Sequence, residues 1–171
     1  VIALEAQPEL VCAGRQVAER NGFGPEVLEF VLGSTSSLEK LPGGLEEVDV
    51  IVSEWLGYFL MYEARLADVL NARDRWLKPG GLLFPDRAKL YVSLIEDETW
   101  TERHCDYYGN VWGFDFSPMK GSAHTEPVVS LFDQAQVVST AACVLDLDLY
   151  TAQPDDCFHM ASQYQVVCTR E

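Results

Sequence analysis

The sequence predicts an α/β domain followed by a mostly β domain. Three observations carry that prediction. Short apolar runs alternate with amphipathic stretches as far as about residue 85, in the order strand, helix, strand, strand, helix. This is the order expected of the second half of an open α/β sheet. Beyond Pro85 the apolar period changes to two, most clearly in Cys143-Val144-Leu145-Asp146-Leu147-Asp148-Leu149. Apolar residues make up 48% of the 171, enough to give a chain of this length a sizeable core.

Val1 to Glu5 is a short apolar run ended by an acid and reads as a buried strand. Pro8 opens a helix in which Leu10, Val11, Ala13, Val17 and Ala18 recur at helical spacing, and Asn21-Gly22 closes it. Val27 to Leu32 reads as the next strand, Ser34 to Ser37 as a polar loop and Pro42-Gly43-Gly44 as a break. Val48 to Glu54 reads as a strand buried on both faces. A helix is expected from roughly Tyr62 to Leu77, with Leu66, Val69, Leu70 and Trp76 on its apolar side and Lys78-Pro79-Gly80-Gly81 as its stop. Lys89 to Ile95, Cys143 to Leu149 and Gln163 to Cys168 read as strands. Glu98 to Lys120 is rich in aromatics. The domain boundary is expected near Phe84 to Arg87, giving domains 1–85 and 86–171.

Composition narrows the function. The 27 acidic residues outnumber the 12 basic ones, for a formal net charge of −15. Such a chain suits a cationic ligand, whereas direct DNA binding needs a cationic face. No apolar run approaches the ~20 residues of a membrane span, and Val1 to Glu5 does not open a signal peptide. Five cysteines, odd in number and without a CxxC, suggest a reducing compartment rather than a disulfide framework or structural zinc. His104 adjoins Cys105, but no third metal ligand is placed. Val1 reads as the inside of a strand, so the chain is expected to be part of a longer polypeptide.

Chemistry can sit in three places. Glu5, at the carboxyl end of a strand, lies where α/β sheets bind nucleotides, and its carboxylate can accept both ribose hydroxyls; a solvated strand-end acid is the alternative. Glu54 ends a second strand. Gly57 then permits a sharp turn, and Glu63 opens the next helix, so that two carboxylates can converge with Trp55, Tyr58 and Tyr62 between them. Such a pair repels unless a cation or proton sits between its members. A guanidinium fits, with a planar fork for one carboxylate and aromatic walls worth about 0.5–2 kcal/mol. The alternative is a helix N-terminal Glu beside an aromatic core stripe. The third place, the acidic-aromatic segment from Glu96 to Phe116, either packs within the chain or covers another subunit.

The run SEWLGYFLMYE, followed by ARDRWLKPGGLLFPDRAKLYV, resembles the protein arginine methyltransferase family. VIALEA is similar to the family's ribose-binding segment, and IEDETWTERHCDYYGNVWGFDFSPMK resembles the start of its β-barrel domain with the helical dimerisation arm. The resemblance runs through essentially the whole chain, most densely over Val48–Tyr91 and Tyr107–Met119. It implies the second half of a Rossmann-like S-adenosylmethionine-dependent methyltransferase domain, then a mostly β, barrel-like domain with a dimerisation arm over about residues 100–135. It also implies S-adenosylmethionine as cofactor, S-adenosylhomocysteine as product and no metal. Glu54 and Glu63 fall on the family's catalytic guanidinium clamp, and Trp55, Tyr58 and Tyr62 are the implied substrate contacts. Glu5, Thr35, Ser36 and Glu54 are the implied cofactor contacts. The implied partners are arginine-containing, Arg/Gly-rich proteins and a second copy of the chain, in the cytoplasm or nucleus.

The sequence also departs from the family pattern. Where the family has an acid for the adenine amine, this chain offers only Thr35-Ser36. Arg65 stands where asymmetric dimethylators carry Met. The family's glycine-rich loop and N-terminal helices would precede Val1, and its Thr-His-Trp loop would follow Glu171. The 171 residues alone are therefore expected to bind cofactor weakly. A catalytically inactive scaffold or regulatory partner, and a non-catalytic binder of Arg-rich tails, are the alternative readings.

Overall fold

The structure is a computed structural model that describes residues 1–62, 65–123, 125, 128–157 and 161–170. The chain divides into two compact units. The first comprises Val1–Leu90 with Leu145–Ser162, and the second Tyr91–Val144 with Gln163–Glu171.

In the first unit β1 (Ile2–Glu5) leads to α1 (Pro8–Arg20) and then to β2 (Glu29–Leu32), which pairs with β1 in parallel, Glu5 opposite Leu32. Pro8 starts α1 where a missing N–H costs nothing. Asn21 ends it, donating from Nδ2 to the Val17 carbonyl at 2.8 Å. A Cβ on Gly14 would run into the Phe30 ring, so this glycine sets how closely α1 approaches β2.

β3 (Val48–Val52) and β4 (Leu77–Phe84) form a second parallel pair, joined by α2 (Leu66–Trp76). On α2 the buried residues Leu66, Val69, Leu70 and Trp76 recur at helical spacing, as the sequence predicts. The helix begins at Leu66, however, not near Tyr62. Phe59 and Leu60 have φ of 51° and 65°, and the Arg65 carbonyl accepts the N–H groups of Asp68 and Val69 at the start of the helix. The Lys78-Pro79-Gly80-Gly81 stretch, expected as a stop, lies inside β4. From Val48 to Val50 β3 advances two residues, while its partners Leu77 to Leu82 advance five. The extra residues form a bulge in which Gly80 has φ 77°. Pairing then resumes through Phe84, and Ser53 N–H still donates to the Phe84 carbonyl at 2.9 Å.

β3, expected to be buried on both faces, is covered on one. Ile51 and Leu83 pack on the core, while Val50, Val52 and their register partners Leu82 and Phe84 are exposed, Val52 at 77%. The reason is that β3 and β4 form a two-stranded ribbon with α2 packed on one side.

One core cluster joins Trp55, Leu66, Val69, Leu70 and Leu83 to Ala88, Leu147, Leu149 and Ala152. A second gathers Leu41, Ala72 and Trp76, with Ile2 and Leu4 of β1 and Val48 and Ile51 of β3 against it. Arg73 ties α2 to the segment after residue 144. Its Nη1 donates to the carbonyls of Leu149 at 2.6 Å and Ala152 at 2.8 Å. Tyr150 Oη accepts the Leu83 N–H at 3.1 Å.

β5 (Arg87–Val92) pairs with β6 (Ala142–Asp148). In the first unit Asp146 takes Arg87 at 2.6 Å and Lys89 at 3.0 Å. The hydrogen bond from Arg87, then that from Lys89, holds the Asp146 carboxyl below the ordinary aspartate range.

In the second unit, residues 94–96 and 167–169 both bond to the 136–140 segment. Buried Ser139 Oγ accepts the Leu94 N–H at 2.7 Å, and Thr140 N–H donates to the Val167 carbonyl at 2.9 Å. The strand expected over Gln163 to Cys168 is reduced to a single bridge between Ser139 and Cys168, because only isolated bonds, and no continuous ladder, join the two segments. The aromatic segment forms α3 (Glu98–His104), capped by the Asp97 side chain, and α4 (Lys120–Ala123). Between them Val111 and Phe114 close a tight hairpin with Trp112 at φ 54° and Gly113 at φ 91°. Trp112 at its tip is 95% exposed.

Two outcomes follow for stability. Arg73→Met leaves two carbonyls without their charged donor and is expected to cost about 2–4 kcal/mol in urea unfolding. The depressed Asp146 pKa contributes stability that is present above the ordinary aspartate pKa of about 4 and lost as pH falls through the lower folded value. Melting curves of wild type and Asp146→Asn should therefore differ at pH 6, begin to converge near the ordinary aspartate value of about 4 and meet only below the lower folded value.

Candidate active site

The site is built on the carboxyl ends of β1 and β3, the edge at which parallel α/β sheets hold ligands. β1 and β3 contribute side chains to the same cluster on α2, which fixes both ends against one helix.

Glu5 is the last residue of β1. One of its oxygens accepts the Gln7 N–H at 2.8 Å, and its own carbonyl accepts the Gly33 N–H at 2.9 Å. The carboxylate is thus oriented by backbone, and its remaining lone pairs suit a diol. The hydroxyls of a ribose would donate to such acceptors.

Glu54 follows Ser53, the last residue bonded to β4, and its side chain is exposed. Trp55 then turns inward. It is 1% exposed, inside the main core cluster, and its indole N–H has no acceptor among the described residues. This corrects the expectation that Trp55 forms an aromatic wall for a ligand: its ring is packed among Leu66, Leu70, Leu83 and Leu149. After it, Gly57 and Leu60 exchange backbone bonds at 3.3 and 3.0 Å and close a hairpin. Phe59 and Leu60 occupy the left-handed region there without being glycine, at a cost of order 1–3 kcal/mol each. Tyr58 and Tyr62 remain exposed, with ring centroids 6.5 Å apart and tilted by 55°. They are free to face a cation. Glu63, the expected second carboxylate, lies outside the described residues.

The Ser34–Ser37 loop follows β2. Thr35 is committed to the fold: its Oγ1 donates to Asp68 Oδ1 at 2.8 Å and accepts from Asn71 Nδ2 at 3.4 Å. Its carbonyl takes a bond from Arg75 Nη1, while Nη2 of the same guanidinium holds the carbonyls of Leu38 at 2.6 Å and Glu39 at 3.0 Å. The expected cofactor contact at Thr35 is therefore a structural tie through its hydroxyl, whose one proton is already used. Ser36 is exposed, and its Oγ lies 2.9 Å from Ser34 Oγ. Asp68, Asn71 and Arg75, which shape this loop, were not among the expected site residues. Their signal is a polar stripe at helical spacing along one side of α2.

Among the described residues no cluster of three or more His, Cys, Asp or Glu side chains could hold a metal ion.

Comparison with known proteins gives a consistent answer. The arginine methyltransferase oligomerization subdomain matches residues 86–171. The chain is 40% identical over 170 residues to protein arginine N-methyltransferase 1 of Caenorhabditis elegans, covering 99% of this chain and 48% of that protein. It is 44% identical over 162 residues to the enzyme of the same name from Schizosaccharomyces pombe, covering 95% and 46%. Among solved structures, the Trypanosoma brucei PRMT1 enzyme–prozyme heterotetrameric complex with AdoHcy matches with a TM-score of 0.89 and 32% identity, covering 98% of this chain and 51% of that one. Arabidopsis thaliana protein arginine methyltransferase 10 matches with a TM-score of 0.69 and 27% identity, covering 89% and 48%. The chain spans about half the length of the relatives it matches.

Proposed function

Because this chain belongs to the protein arginine methyltransferase family, we propose that the protein transfers a methyl group from S-adenosylmethionine to the guanidinium of arginine in protein substrates. The observation that carries the reading is Glu54. It is an exposed carboxylate at the carboxyl end of β3, held between a laddered Ser53 and a buried Trp55, in a chain alike over its whole length to such enzymes.

S-adenosylmethionine, when bound, supplies a methyl activated by its sulfonium charge and leaves as S-adenosylhomocysteine; that activation needs no metal. Glu5 accepts the ribose hydroxyls, with Ser36 and Glu54 as further cofactor contacts. Glu54 and Glu63 grip the guanidinium from two sides, and Tyr58 and Tyr62 offer it their ring faces. A guanidinium stays protonated at neutral pH, so its terminal nitrogen is a poor nucleophile. The two carboxylates would hold the charge at the far nitrogens and aim the near one at the methyl; the N–C bond would form as the S–C bond breaks, and the methylated nitrogen would give up one proton to a clamp carboxylate and then to water. Orientation of this kind supplies up to about 7–11 kcal/mol of the barrier. The acidic chain attracts Arg/Gly-rich tails and speeds their encounter at low salt.

Residues 1–85 are assigned to the cofactor side and 86–171 to the oligomerisation side. The family match beginning at residue 86 supports that division. We assign a homodimer through the arm at about 100–135, whose exposed Trp112 supports it. The free thiols of Cys12 and Cys168 support residence in the reducing cytoplasm or nucleus. A second reading, a catalytically inactive partner within an oligomer, is favoured by one observation: the Thr35 hydroxyl, in the loop expected to meet the cofactor, is committed to Asp68 of α2.

Transfer of labelled methyl to an Arg/Gly-rich peptide separates the two readings. Glu63→Gln is expected to lower turnover by about a hundredfold or more while calorimetric affinity for S-adenosylhomocysteine stays within about twofold. Undiminished turnover overturns the clamp, and a wild type that dimerises without turnover favours the inactive partner. Trp112→Ala is expected to weaken dimerisation by about tenfold or more in sedimentation.

A further inference from the structure

Trp55 has no assigned role beyond packing, yet it stands at the junction of the site and the core. It directly follows Glu54, and Ser53 on the other side of Glu54 is bonded to Phe84. The indole is 1% exposed in the cluster that also holds Leu66, the first residue of α2 and three residues after Glu63 in sequence. Trp55 before the hairpin and Leu66 after it are therefore anchored in one buried cluster. Between the pins Leu60 and Met61 rest on the same cluster, and Phe59 and Leu60 keep left-handed backbones that local preference opposes. A conformation of that kind persists only where its surroundings over-determine it.

The indole N–H sharpens the point. It is buried without an acceptor among the described residues, so stability alone would be served as well by a ring without a donor. What the indole adds is volume and rigid shape immediately behind Glu54.

We infer that Trp55 is a positioning residue: its buried indole fixes the Glu54–Tyr62 segment, and through it the direction of the Glu54 carboxylate. This rests on the reading of Glu54 as part of a guanidinium clamp. Two substitutions and one control test it in the full protein. In Trp55→Leu the turnover number per folded molecule is expected to fall about tenfold or more, with KM for the arginine peptide and affinity for S-adenosylhomocysteine within about twofold. Backbone amides of residues 57–62 should exchange hydrogen about tenfold faster. Trp55→Phe should keep the fold and recover part of the turnover, so it decides the matter where the leucine variant fails to fold. Val11→Ala opens a cavity under α1, outside this cluster, and should lower stability while leaving turnover per folded molecule and the 57–62 amides unchanged.

Unchanged turnover and exchange in both Trp55 variants overturns the inference, as does an equal loss in Val11→Ala. A wild type without methyl transfer overturns the functional reading instead. The exchange comparison alone then decides whether Trp55 pins the segment.

Discussion

The burial of one side of α2 is the constraint on which the rest of the first unit depends. Leu66, Val69 and Leu70 face Trp55, Leu83, Leu147 and Leu149, while Ala72 and Trp76 serve the second cluster with β1 and β3. A single eleven-residue helix thus fixes two parallel ribbons that share no backbone bonds. Its polar side is used as well: Asp68, Asn71 and Arg75 shape the loop after β2. Moving the helix by one residue would displace the strand ends, the serine loop and the hairpin together.

Helix-period and strand-period patterns were the readable part of this sequence. The apolar side of α2, the closure of α1 at Asn21 and the alternation in β6 follow from side chains whose spacing matches the local backbone. β4 was not readable, because Pro79, Gly80 and Gly81 are turn residues and only pairing with β3 holds them inside a bulged strand. The start of α2 was misplaced for a related reason. Nothing in Tyr58-Phe59-Leu60 announces left-handed backbone, since none of these residues favours it. The last strand failed because residues 163–168 have the composition of a strand but no continuous ladder to join.

The site was legible as chemistry rather than as geometry. An acid closing an apolar strand identifies Glu5 and Glu54 from sequence. Which neighbours face outward is a question of packing. Among the aromatics after Glu54, Tyr58 and Tyr62 are exposed and Trp55 is not, although all three suit a cation by type and Trp best of all. Thr35 shows the same limit: a hydroxyl in a βα loop is a natural ligand contact until a helix aspartate takes its proton.

The return of residues 145–162 to the first unit has a consequence for how the protein is made. Arg73 meets its carbonyl partners 76 and 79 positions later in the chain, and Leu149, wholly buried, belongs to the cluster that Trp55 and Leu70 begin. During synthesis that cluster stays open while the intervening segment emerges. At about 5–20 residues per second the interval is of the order of several seconds. Apolar surface on α2 and β4 is then accessible to chaperones and to other nascent chains. Closure of the core is thus a late, long-range event, and the yield of folded protein is set by what happens to an incomplete domain while it waits.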